Sequence, residues 1–134
     1  MTPLGAIEEG PDRRFPHAER LRLRREYQRV YENGTFFPGT FLVLYVLCDP
    51  TLSRKAGFVA GRKVGNAVAR NRAKRLLREA FRHHRERVPS LGRHFVLVAR
   101  KGCGEAGYAE VERDLLSLYA RAGLETPPAD RAGS

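Results

Sequence analysis

Apolar residues along this chain alternate between helical spacing and continuous runs, and the alternation predicts where elements begin and end. Leu23, Tyr27, Val30 and Tyr31 fall at i, i+4, i+7 and i+8, which predicts a short helix over residues 24–33 closed by Gly34 as its C′ residue. An Asn-Gly pair also marks tight hairpins, but the helical spacing before Gly34 favours the cap. After Pro38-Gly39 the run TFLVLYVLC is continuously apolar and rich in aromatic and β-branched residues, the pattern of a strand covered on both faces or nearly so. The turn-forming DPTLSR separates it from a second strand, KAGFVAGRK. With Asn66 as N-cap after Gly65, steps of about 100° per residue gather Ala69, Ala73, Leu76, Leu77, Ala80 and Phe81 on one stripe of a longer helix. HFVLVARKG reads as a further strand after Pro89 to Gly92. Tyr108, Val111, Leu115, Leu118, Tyr119 and Ala122 then repeat at helical spacing up to Gly123.

The resulting order is α, two or three strands, α, β, α, which predicts an α+β two-layer sandwich built on one sheet. Residues 1–19 hold Pro3, Pro11 and Pro16 and scattered charge without periodicity, so they read as a flexible extension; ETPPADRAGS, residues 125–134, reads as a tail. The domain is expected over 20–124. A chain of 134 residues supports one domain with a core that needs neither metal nor disulfide. Cys48 ends an apolar run and Cys103 lies between glycines, and neither belongs to a CxxC or Cys/His cluster. They are read as a small core residue and a loop thiol. No stretch approaches the ~20 apolar residues of a membrane span and no signal-peptide core is present, so the expected location is the cytoplasm.

Charge changes this picture from a generic sandwich to a binding protein. The segment GRKVGNAVARNRAKRLLREAFRHHRER, Gly61 to Arg87, holds ten of the chain's 25 Lys and Arg but two of its 15 acids, and so carries +8 of the net +10. On the predicted helix Asn71, Lys74, Arg75, Arg78, Arg82 and Arg85 fall opposite the apolar stripe, flanked by Arg70 and Arg72. Ordinary solvated helix faces mix signs to limit repulsion at i,i+4. A polyanion relieves that repulsion here, and the planar fork of arginine suits phosphate. Nucleic-acid binding is therefore the reading of the segment. A helix-turn-helix is disfavoured because strand patterns flank the basic helix.

Catalytic chemistry is not legible. The carboxylates are dispersed, and Glu8, Glu9, Glu110, Glu112 and Asp114 are read as solvated charge. His83 and His84 are adjacent on a helix and diverge, His94 precedes a strand, and His17 lies in the N-terminal extension. KVGN and KGCGEAG match neither a P-loop nor a dinucleotide fingerprint. Tyr27, Tyr31 and Tyr45 are candidates for stacking unpaired bases, although aromatic residues at helical spacing are more often core.

The string RNRAKRLLREAFR, Arg70 to Arg82, preceded by GRKVGNAVA, resembles the signature of the bacterial ribonuclease P protein subunit. REYQRVYENG resembles that family's first helix, and FLVLYVL and FVLVARKG its strands, so the resemblance covers about residues 20–122. It implies the order αβββαβα, one four-stranded sheet and a left-handed βαβ crossover, a hand opposite to the usual one. It further implies a protein subunit that joins a catalytic RNA, one protein to one RNA. That RNA removes the 5′ leader of precursor tRNA by magnesium-assisted hydrolysis, and the protein strengthens binding of functional Mg2+ held mainly by the RNA. By matching position, Arg62, Lys63, Arg70, Asn71, Arg72, Lys74, Arg75 and Arg78 are implied to contact RNA. Tyr27, Tyr31, Val43 and Tyr45 are implied to line the cleft for the single-stranded leader, which reverses the core reading of the tyrosines. The family often has Ser-x-Ser where this chain has Val59-Ala60-Gly61. The alternative to this reading is a general RNA-binding or ribosomal-type protein without a nuclease role.

Overall fold

In a computed structural model, residues 19–89 and 91–124 are described. Seven principal elements follow the order αβββαβα: α1 Arg24–Asn33, β1 Thr35–Pro38, β2 Leu42–Ser53, β3 Lys55–Val59, α2 Ala67–His84, β4 Leu91–Ala99 and α3 Tyr108–Arg121. The strands form one sheet in the order β1-β2-β4-β3, antiparallel except for the parallel β3/β4 pair, which α2 connects. The segments 1–18 and 125–134 lie outside the described residues. Glu19, assigned from sequence to the N-terminal extension, is within them: its carboxylate pairs with Arg54 at 3.4 Å and Arg85 at 3.3 Å. Among the described residues no helix is long and apolar enough to cross a membrane.

Alternation along β2 sends Leu42, Leu44 and Val46 to one face and Val43, Tyr45 and Leu47 to the other. The first set joins the main core with Leu97 and Phe95 of β4, the predicted stripe of α2 and the apolar face of α3. Phe81 of α2 packs at 5.4 Å from Phe95 and 6.0 Å from Phe58, ring pairs worth about 0.5–1.5 kcal/mol each beyond their buried area. The opposite face carries a smaller cluster, Leu21, Val30, Leu47 and Val96, beneath α1. Because one short helix covers that face, Val43, Tyr45, Val59 and Val98 are left half-buried.

Several local expectations are corrected. β1 was not legible: four residues beginning after the Asn-Gly pair become a strand through pairing with Val43 to Val46. The DPTLSR segment is not a simple turn, since β2 runs through it to Ser53 with a register shift between Cys48 and Ser53. β3 stops at Val59, so Arg62 and Lys63 occupy a 3-10 turn, Arg62–Val64, not a strand end. His94 lies inside β4 and is buried, and burial pulls its pKa below the usual histidine value. The cysteines exchange roles: Cys48 is exposed, whereas Cys103 is buried and its thiol is pushed up to about 11 by that burial. The acids of α3 are engaged. Asp114 accepts hydrogen bonds from the amides of Thr40, Phe41 and Leu42 at 3.0, 2.7 and 3.2 Å. Glu110 accepts from the Gly107 amide at 2.8 Å, capping the helix, and Glu112 lies 2.6 Å from His84.

Gly34 ends α1 for a reason other than a left-handed cap. Its φ is −87°, open to any residue, but a Cβ there would lie 2.6 Å from the Val30 carbonyl oxygen and 2.7 Å from that of Val46. The chain turns from α1 into β1 through a gap that only a glycine fits. Gly34→Ala is therefore expected to destabilise the domain by about 1–3 kcal/mol, measured by urea denaturation. An unchanged midpoint would mean that α1 can move off β2 without loss.

Candidate nucleic-acid interface

α2 starts where the sequence predicts. The Asn66 side-chain oxygen accepts from the Ala69 amide at 2.9 Å, and the helix buries Ala73, Leu76, Leu77, Ala80 and Phe81. Anchoring that stripe forces the basic positions outward, but the row of cations is not uniform. Arg62, Lys63, Asn71 and Arg75 are exposed, and Arg70 and Lys74 are half-buried. Arg72 is turned inward, donating to the carbonyls of Gly104 at 2.9 Å and Ala106 at 2.8 Å. It straps α2 to the 3-10 turn Cys103–Glu105, which approaches so closely that a Cβ on Gly104 would lie 2.7 Å from the Ala69 carbonyl. Arg82 pairs with Glu79 at 2.8 Å, and Arg85 pairs with Glu19. The outward-facing cations therefore concentrate on the N-terminal part of α2 and the turn before it.

Arg78 links this surface to the other face of the molecule. Its guanidinium carbon sits 5.7 Å from the centre of the Phe58 ring. Burial, with the charges of Arg20 and Arg75 nearby, pulls its pKa below the usual arginine value despite Glu79. With Arg20, Lys74 and Tyr27 it lines a cleft of about 130 Å³ over Gly57 and Phe58 at the β3 edge. Arg20 reaches this position because it forms a parallel bridge with Ala56, while Leu21, buried beneath α1, donates its amide to the Ala56 carbonyl at 3.0 Å. Sequence reasoning did not select Arg20. The signal available was the alternation Arg20-Leu21-Arg22-Leu23-Arg24, which by itself does not say which arginine meets the sheet.

The tyrosines gather on the α1 face. Tyr27 lies flat enough on β3 that a Cβ at Gly57 would come within 2.4 Å of its ring, and its hydroxyl reaches the Leu21 carbonyl at 3.4 Å. A second cleft of about 250 Å³ continues from Tyr27 along Arg24, Gln28 and Tyr31. Tyr31 is 41% exposed. Its ring meets Tyr45 edge to face, with centroids 4.9 Å apart and planes at 79°. Burial raises the phenol pKa of Tyr27 and Tyr31, so both keep their protons at neutral pH. Val43 and Val98, paired in register, floor the same face beside Tyr45. All four sequence-selected cleft residues thus share one face, and Tyr27 is common to both clefts.

Catalytic groups do not converge here. Among the described residues there is no cluster of three or more His, Cys, Asp or Glu able to hold a metal ion. His83 and His84, expected to diverge, instead both reach α3 and tie α2 to it, His83 lying 2.6 Å from the Tyr108 hydroxyl and His84 2.6 Å from Glu112 one turn on. The arrangement sets exposed cations beside open ring faces, groups whose chemistry suits phosphates and unpaired bases.

Comparison with known proteins bears on the family and the fold. The Ribonuclease P family model matches residues 15–123. The ribonuclease P protein component of Syntrophomonas wolfei is 38% identical over 78% of this chain and 87% of its own length. That of Desulfovibrio desulfuricans is 41% identical over 84% of this chain and 89% of its own. Among solved structures, the RNase P protein from Thermotoga maritima superposes with a TM-score of 0.66 at 32% identity, covering 77% of this chain and 96% of that one. The Staphylococcus aureus RNase P protein gives a TM-score of 0.71 at 24% identity, over 81% and 98%, a likeness of fold.

Proposed function

The chain belongs to the ribonuclease P protein family, and from that premise we propose that it is the protein subunit of a ribonuclease P, binding the catalytic RNA through α2 and holding the single-stranded 5′ leader of precursor tRNA across the α1 face. The observation that carries this reading is the convergence at Tyr27. Arg78 and Lys74 of the basic helix line the same cleft as this ring, and the ring opens in turn onto Tyr31 and Tyr45. A strand bound by phosphate contacts on α2 can pass directly onto aromatic faces, each stacked base contributing about 1–3 kcal/mol.

Roles divide along the same line. Arg62, Lys63, Arg70, Lys74 and Arg75 neutralise phosphates, a sequence-independent and salt-sensitive attraction, and the Asn71 amide donates a hydrogen bond beside them. Arg78 bridges to the leader cleft, and Tyr27, Tyr31, Tyr45 and Val43 form its wall and floor. Arg72 belongs to the scaffold that positions the helix. Magnesium held mainly by the RNA subunit would supply the charge stabilisation and the activated water for phosphodiester hydrolysis. The donor set among the described residues does not fit a protein-held magnesium site, so we assign the ion to the RNA subunit.

Reconstitution tests the reading. The purified protein alone is expected to leave precursor tRNA intact, and the RNA subunit from the same genome to cleave slowly at low magnesium. Together they are expected to cleave efficiently, with tighter binding of leader-bearing than of mature tRNA. Equal binding of both tRNAs, with well-folded protein and no gain in cleavage, would point to a general RNA-binding protein.

A further inference from the structure

Phe36 carries an aromatic ring that neither the fold nor the tyrosine-lined cleft requires. It lies on β1 at the sheet edge and is 59% exposed, whereas its neighbour Phe37 packs against the main core. Strand alternation therefore satisfies the burial needs of β1 through Phe37, and a polar residue at position 36 would serve stability at least as well. The register sets Phe36 directly opposite Tyr45 on the α1 face. Their ring centroids are 5.8 Å apart with planes at 35°, and Tyr45 in turn meets Tyr31 at 4.9 Å. Since α1 packs on β2 and β4, it leaves the outer side of this strip open. Three rings run without interruption from α1 across β2 to the edge strand, the last about one strand spacing, ~4.8 Å, beyond Tyr45.

We propose that Phe36 is a third stacking platform of the cleft, holding one more unpaired base of the RNA strand than Tyr31 and Tyr45 hold; this rests on the leader-binding reading above. The face of a base is the surface that complements an open ring beside a cationic protein of net charge +10. Pairing of β1 with a second copy is the competing use of an exposed edge. It fits poorly: β1 has four residues, Pro38 lacks an amide donor, a stable interface needs about 800 Å² per partner, and like net charges repel.

The test uses the protein reconstituted with the ribonuclease P RNA of its own genome and precursor tRNAs whose oligouridine leaders are lengthened one nucleotide at a time. Wild-type affinity is expected to rise in steps with leader length. In Phe36→Leu the last step is expected to vanish, a loss of about fivefold to tenfold on long leaders, with short leaders unaffected. Phe36→Tyr is expected to restore it, because a leucine keeps the apolar bulk but offers no ring. Thermal melting of both variants reports folding, and the exposed position predicts little change. Every step retained in Phe36→Leu would overturn the proposal while leaving the leader reading intact. So would an equal loss at all lengths, or a wild-type dimer in sedimentation that Phe36→Leu converts to monomer. A wild type with no length dependence would overturn the leader reading itself.

Discussion

Replacing Arg62, Lys63 and Arg75 together with alanine is expected to weaken association with the ribonuclease P RNA by about a hundredfold at physiological salt. Each phosphate contact contributes about 0.9 to the slope of log K against log salt, and at physiological salt that corresponds to roughly fivefold in affinity. Three lost contacts multiply to about a hundredfold and reduce the slope by nearly three. These three side chains are chosen because they are exposed, so their removal leaves the apolar stripe of α2 and its cap in place. Filter binding over a salt series reads both quantities, and an unchanged slope would mean that the three side chains stay in solvent when RNA binds. Arg72→Ala supplies the contrast. Its guanidinium holds the carbonyls of Gly104 and Ala106, so its loss is expected to lower the unfolding midpoint before it changes the salt slope. The sequence alone groups all four with the RNA-binding residues; the structure separates three exposed side chains from one that is turned inward.

Asp114→Ala is expected to cost about 2–4 kcal/mol of stability, a large loss for one polar side chain on a helix surface. Its carboxylate accepts three consecutive backbone amides, those of Thr40, Phe41 and Leu42. Hydrogen bonds to a charged group contribute about 1.5–3 kcal/mol each, but three at one site are not additive, and some exposed amides recover water. Gly39 shares the site, since a Cβ there would fall 2.6 Å from the same carboxylate. The clamp sets where β2 begins and therefore which residues of β1 lie opposite Tyr45. Asp114→Asn is expected to recover part of the loss, because the amide oxygen still accepts but without the charge. Chemical denaturation measures the difference, and a loss below ~0.5 kcal/mol would show that the loop holds its conformation without the clamp.

Where sequence reasoning succeeded, the information was periodic. The stripe of α2, its Asn66 cap and the spacing of α3 were readable because a helix buries residues by local rules. The strands were readable as apolar runs for a similar reason. Where it failed, the deciding contact was distant in sequence. β1 exists because β2 pairs with it, and four residues ending in Pro38 have no strand pattern of their own. Cys48 and Cys103 exchanged roles because the first lies where the regular β2/β4 register ends and the second packs into the main core. The acids of α3 looked solvated because their partners lie far along the chain or, for Glu110, are a backbone amide.

The candidate site divides in the same way. Its chemistry, a concentration of arginine on one helix and tyrosines before and after the first turn, was visible in order and spacing, and so was the family signature in Arg70 to Arg82. Its geometry was not. That Arg78 faces Tyr27 across the β3 edge, that Arg20 joins them, that Arg72 turns inward and that Phe36 extends the ring strip all depend on which strands are neighbours. Charge and periodicity are properties of residues near one another in the chain, and they survive without a fold. Adjacency of β1 to β2 and of α1 to β3 arises only when the sheet closes in the order β1-β2-β4-β3, because burying two unequal faces at once leaves the smaller one partly open.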